Sequence, residues 1–167
     1  MSLKKMKKNK IKLLVMDVDG TLTNGEITFN DLGVESKNFN VKDGYGIGVI
    51  APKNGIICAI ITGRKSNIVK VRCEEIGIKY LYQQVDDKCK CLKELAHSLN
   101  VSLNEIAYIG DDLNDLNAMS LCGLKGCPND AVQEVKNNVN YISNLNGGQG
   151  AVRDFIEFII NNNKKIL

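Results

Sequence analysis

Residues 11–21 read Ile-Lys-Leu-Leu-Val-Met-Asp-Val-Asp-Gly-Thr, a short apolar run that ends in two carboxylates. Ile11–Met16 has the length and the Ile, Leu and Val content of a strand buried on both faces. Asp17 and Asp19 follow at once, and acids so close to a buried run are costly unless a cation or hydrogen-bond donors meet them. Two residues apart in an extended segment, they point to the same side. A second run, Glu105–Ile109, ends the same way, in Gly110-Asp111-Asp112-Leu113-Asn114-Asp115. If these strands are neighbours, their acids converge above one sheet, and a hard divalent cation such as Mg²⁺ relieves the repulsion. A plainer reading makes Asp17 or Asp111 the cap of a following helix. That accounts for one cluster and not for two.

Working outward, further buried strands are expected at Ile56–Ile61 and Gly123–Gly126. Helical spacing separates them. Ile68, Val71 and Ile76 share a face that stops at Gly77, a natural helix end. Cys91, Leu92, Leu95 and Leu99 form a second face; Leu113, Leu116 and Met119 a third; Val152, Phe155, Ile156 and Ile159 a fourth. This alternation predicts an α/β fold, a Rossmann-like parallel sheet flanked by helices. Residues 22–42 interrupt it. Ile27 and Phe29, then Phe39 and Val41, alternate with polar residues around Asn30-Asp31-Leu32-Gly33, the pattern of a β-hairpin. Ligands of such sheets bind beyond the carboxyl ends of the strands, so the hairpin is expected to be a flap beside the site.

The chain has 167 residues, 44 % hydrophobic and 25 % charged, which suits one domain over 11–167. No apolar run approaches the ~20 residues that span a bilayer. The formal charge of +3 comes from Lys4, Lys5, Lys7, Lys8, Lys10 and Lys12. Without them the body is net acidic, a poor surface for nucleic acid. Residues 1–10 read as a flexible basic tail, and nothing in the opening resembles a secretory signal. The six cysteines form no CxxC pair and are expected to be reduced thiols in a cytoplasm.

Two further pieces complete a chemistry. Ile60-Ile61-Thr62-Gly63-Arg64 closes a strand on a hydroxyl and a glycine whose N–H can approach an anion closely. Lys88 opens a helix after Gln84-Val85-Asp86-Asp87. In this reading Asp17 attacks phosphorus while Mg²⁺ offsets the repulsion between two anions. Thr62, the Gly63 amide and Lys88 hold the nonbridging oxygens. A second carboxyl, Asp19, protonates the leaving oxygen and then deprotonates water.

These residues resemble the haloacid dehalogenase superfamily, whose motifs occur here in order: DxDGT at Asp17–Thr21, Thr62, Lys88, and GDDxxD at Gly110–Asp115. Lys42-Asp43-Gly44-Tyr45-Gly46-Ile47, Thr62-Gly63-Arg64-Lys65-Ser66 and Gly147-Gly148-Gln149-Gly150-Ala151-Val152-Arg153 look like its cap-less phosphatases acting on 3-deoxy-D-manno-octulosonate 8-phosphate. The resemblance implies a nucleophile at Asp17 and a general acid/base at Asp19. It implies Mg²⁺ held by Asp17, the Asp19 carbonyl and Asp111, with Asp112 or Asp115 as support. It also implies a homotetramer in which hairpins meet and neighbouring subunits complete each site in place of a cap. Arg64 and Lys65 either pair with a substrate carboxylate or face solvent, and Asp43-Gly44 is expected to line the pocket. The tail after Arg153 is short and polar, at Asn161-Asn162-Asn163-Lys164-Lys165. A nine-carbon sialic-acid-type 9-phosphate is the second substrate reading. A phospho-accepting receiver domain is disfavoured by order, because Asp111-Asp112 follows Lys88 and no acid ends the Ile56–Ile61 run.

Overall fold

The structure is a computed structural model and describes residues 9–166. Most of the expected basic tail, residues 1–8, lies outside the described residues. Among the described residues, eight strands and seven α-helices follow one another. Six strands form one parallel sheet: β1 (Leu13–Met16), β4 (Ile57–Ile61), β5 (Tyr80–Tyr82), β6 (Ile106–Ile109), β7 (Leu124–Cys127) and β8 (Tyr141–Ile142), in the order β5-β4-β1-β6-β7-β8. The two acid-ended strands are neighbours, with Met16 opposite Ile109.

Both sheet faces are dry. Leu14 and Met16 face a core closed by Val152, Phe155, Ile156 and Ile159 of α7 (Ala151–Lys164), with Val69 and Cys73 of α3 (Asn67–Glu75). Leu13 and Val15 face the other, closed by Leu92 and Leu95 of α4 (Lys88–Ser98), Met119 of α5 (Leu113–Ser120) and Val135 of α6 (Gln133–Asn137). Burial on both sides is why the central strands read as unbroken apolar runs. All six cysteines are free thiols, and no described helix is long and apolar enough to cross a membrane.

Three stretches differ from the sequence expectation. The hairpin pairs β2 (Thr28–Phe29) with β3 (Glu35–Ser36), so its second strand precedes Phe39–Val41. Its turn is held by Asn30 Oδ1, which accepts from the amides of Leu32 and Val34. Asn40 instead caps α1 (Val41–Tyr45), accepting from the Lys42 amide at 2.8 Å. This unforeseen helix continues through a π turn, Gly46–Ile50, into α2 (Ala51–Lys53). Its glycines permit close packing: a Cβ on Gly48 would lie 2.8 Å from the Ile76 carbonyl. The edge strands β5 and β8 were also unforeseen, being only three and two residues long.

The polar tail is the last turn of α7. Buried Asn163 accepts from the Ile11 amide at 2.8 Å and donates to the Ile11 carbonyl at 2.9 Å, tying the last helix to the entry of β1. Asn163→Leu strips both partners from Ile11. It is expected to cost about 2 kcal/mol or more, read as a lower urea midpoint with an unchanged slope.

Candidate active site

Asp17 sits just past β1, buried, its amide donating to the Ile109 carbonyl at 3.1 Å. The chain then turns sharply. The Val18 carbonyl accepts from the amides of Thr21, Leu22 and Thr23 at 3.1, 2.8 and 3.1 Å. Gly20 takes a positive φ of 89°, and a Cβ there would collide with the Asp111 carboxylate. The glycine therefore lets the two acid-bearing loops touch. Across the gap, Thr21 Oγ1 donates to Asp111 Oδ1 at 2.9 Å.

Asp17, Asp111 and Asp115 each bring a carboxylate oxygen to within 4.8 Å of the others. One buried cation answers them. Lys88, the first residue of α4, places Nζ 3.0 Å from Asp17 Oδ1 and 2.8 Å from Asp115 Oδ1. Asp115 Oδ1 also accepts from the Tyr108 hydroxyl at 3.0 Å, while its buried Oδ2 has no donor. Asp112 is turned elsewhere, capping α5 through the Leu113 amide at 2.7 Å.

The electrostatics follow from this crowding. Burial, then the charge of Asp115, pushes the Asp17 carboxyl up to about 6 against the pull of Lys88. Burial raises Asp111 to about 7, opposed by the Thr21 hydrogen bond and reinforced by Asp17, Asp115 and Asp112. Burial opposes the Lys88 ammonium, yet the charges of Asp17 and Asp115 outweigh it and raise Lys88 above its ordinary value. Three clustered carboxylates, with Asp17 Oδ1 and Asp115 Oδ2 buried and lacking a hydrogen bond, and a single ammonium fit a hard divalent cation bound through oxygen.

A consequence can be measured. Asp17 and Asp111 hold protons in the folded chain that the unfolded chain has released above its ordinary carboxylate value. The metal-free protein is thus stabilised by acid, and that contribution is lost as the pH rises from about 4 to about 7. In EDTA, Tm is expected to rise when the pH is lowered from about 7.5 to about 5.5. Mg²⁺ is expected to raise Tm most at the higher pH. A metal-free Tm that falls over this acid shift would contradict the arrangement.

Thr62 follows β4 directly, buried, its amide donating to the Tyr82 carbonyl at 3.0 Å. Because β4 pairs with β1, Thr62 stands at the same end of the sheet as Asp17. Gly63 is exposed beside it, and exposed Lys65 makes no ion pair among the described residues. Arg64 is ion-paired, 2.7 Å from Glu35 Oε1 and 3.7 Å from Asp19 Oδ2. Asp19 lies outside the three-carboxylate group and meets Lys37, which also lies 3.4 Å from Glu35. The Lys37 side chain is 1 % exposed, so the hairpin delivers a buried ammonium to the loop after β1. Sequence reasoning missed Glu35 and Lys37; their spacing of two in an extended segment was the available signal.

Asp43 and Gly44 are not brought to these carboxylates. Asp43 accepts from the Arg153 amide at 2.8 Å and faces the amides of Gly150 and Val152 at the start of α7. Gly44 lies under the Arg72 guanidinium, which also covers the Phe39 ring at 5.8 Å. Both residues therefore sit where α1 packs on α7 and α3.

Residues 76–156 match the model of the haloacid dehalogenase-like hydrolase family. The chain is 40 % identical over 154 residues to the 3-deoxy-D-manno-octulosonate 8-phosphate phosphatase KdsC of Salmonella typhi, spanning 92 % of this chain and 81 % of that protein. The Yersinia pestis phosphatase of the same name superposes with a TM-score of 0.90 at 38 % identity, over 96 % of this chain and 86 % of the other. The Moraxella catarrhalis phosphatase, solved with magnesium, phosphate and KDO, gives 0.88 at 41 % identity, over 95 % and 92 %.

Proposed function

Because this chain belongs to the 3-deoxy-D-manno-octulosonate 8-phosphate phosphatases of the haloacid dehalogenase-like hydrolases, we propose that it releases phosphate from that eight-carbon sugar acid. One observation carries the reading: Asp17 and Asp111, from neighbouring strands, meet in one three-carboxylate group beside Lys88. Asp17, the Asp19 carbonyl and Asp111 would hold Mg²⁺, whose positive charge would offset the repulsion between the anionic nucleophile and the phosphoryl group.

The residues then divide the work. An Asp17 oxygen bonds to phosphorus as the bond to the sugar oxygen breaks, and Asp19 gives that oxygen its proton. Asp19 next takes a proton from water, whose oxygen attacks phosphorus; the Asp17–phosphorus bond breaks and inorganic phosphate leaves. Thr62, the Gly63 amide and Lys88 bind the phosphoryl oxygens and stabilise charge there. Arg64 and Lys65 recognise the sugar-acid carboxylate. Asp115 supports the cation, and Asp43 and Gly44 act through the fold.

The domain from residue 11 onward carries every group in this scheme. Its hairpin exposes Ile27, Phe29, Leu32 and Val34, an apolar patch that four hairpins would bury in a homotetramer. Six free thiols suit the reducing cytoplasm, where we place the enzyme.

Side-by-side kcat/KM values for 3-deoxy-D-manno-octulosonate 8-phosphate and a sialic-acid-type 9-phosphate test the substrate. The eight-carbon ester is expected to win; preference for the nine-carbon ester would overturn the assignment. In sedimentation the same protein is expected to run as four chains, and a monomer would refute the shared assembly.

A further inference from the structure

We infer that Tyr108 is a positioning residue for Asp115, setting the Mg²⁺ affinity of the site through the hydrogen bond its hydroxyl donates. This rests on reading Asp17, Asp111 and Asp115 as a cation site. Tyr108 lies within β6, fully buried on the sheet face covered by α4 and α5. Its neighbours in that core, among them Leu13, Val15 and Met119, ask only for an apolar ring, so packing alone does not require a hydroxyl.

The hydroxyl reaches Asp115 Oδ1 at 3.0 Å, the same oxygen that Lys88 approaches to 2.8 Å. Two donors, one from β6 and one from α4, converge on one oxygen and fix the rotation of the carboxylate. The other oxygen stays buried and without a donor, over Gly110, where a Cβ would come within 2.5 Å of it. The two donors are not equivalent. Lys88 divides itself between Asp115 and Asp17, 3.0 Å away, and its ammonium can follow either. Among the described side chains, Tyr108 bonds to Asp115 alone. Without the hydroxyl, Asp115 is held only by a shared and rotatable cation.

Tyr108→Phe keeps the buried ring and removes the one bond. In calorimetric titrations with MgCl₂, without substrate, its Kd is expected to exceed the wild-type value about tenfold. Activity then needs correspondingly more Mg²⁺, with KM for the sugar phosphate at saturating Mg²⁺ little changed. Tyr141→Phe, which removes a hydroxyl bonded to Asp154 at 2.7 Å on the edge strand β8, is the control for stability alone. It is expected to bind Mg²⁺ as the wild type does. In an Asp115→Asn background, Tyr108→Phe is expected to add no further loss of affinity. If the wild type takes up no Mg²⁺, the cation site itself falls, and this role with it. If the wild type binds and Tyr108→Phe binds equally tightly, or if its loss persists undiminished without Asp115, the positioning role is overturned while the site stands.

Discussion

Asp17→Asn is expected to lower kcat for phosphate release by on the order of 10⁴-fold or more, the scale on which removing a nucleophile acts. An amide has almost the same shape as the carboxylate, so the turn at Val18 and the pairing of β1 with β6 survive. Stability is expected to hold at neutral pH. Burial has raised the Asp17 carboxyl to about 6, which means that ionising it opposes folding above that pH. Asn removes this opposition while giving up the contact with Lys88, 3.0 Å away. Circular dichroism and thermal unfolding would therefore report a folded but inactive protein. Turnover at the wild-type rate would remove Asp17 from the chemistry.

Lys88→Met is expected to be the most destabilising change at the site. The ammonium is the buried counter-charge shared by Asp17 and Asp115, at 3.0 and 2.8 Å. Removing one member of a buried ionic group costs about 3–5 kcal/mol, because the others stay desolvated and uncompensated. The loss should be greatest near neutral pH and smaller in acid, where Asp17 can neutralise itself by taking a proton. Mg²⁺ should restore part of it by supplying charge to the same oxygens. Urea unfolding at two pH values, with and without Mg²⁺, measures all three effects. Wild-type stability in Lys88→Met without metal would show that the carboxylates do not depend on it.

The central strands and their acids could be read in advance because one physical fact produces both signals. A strand covered on two faces must be apolar throughout, so the first carboxylate after Met16 or Ile109 marks where the chain leaves the sheet. The edge strands lack that constraint. Tyr80–Tyr82 is only half buried, and nothing separates it locally from a loop. Residues 41–53 hid a helix because Gly44, Gly46 and Gly48 weaken helical propensity, while α7 and the end of α3 supply the packing that overrides it.

The site was visible where ligand chemistry repeats in the chain, and invisible where distant segments meet. Asp43 accepts from the Arg153 amide, 110 residues away at the start of α7, a contact that no local pattern announces. Nothing local to the chain around Lys37 marks it as buried; the contact with Asp19 exists only once the hairpin folds over that loop. Tyr108 read as core, and its hydroxyl acquires a purpose only when α5 brings Asp115 beneath it.

Trapping the covalent enzyme tests the account most directly. Asp19→Asn, given p-nitrophenyl phosphate and Mg²⁺, lacks the base for the second step but faces a leaving group that needs no acid. Acid quenching followed by peptide mass spectrometry is expected to find one added phosphoryl group on Asp17. Nitrophenol and phosphate released steadily together, with Asp17 unmodified at every time point, would contradict it.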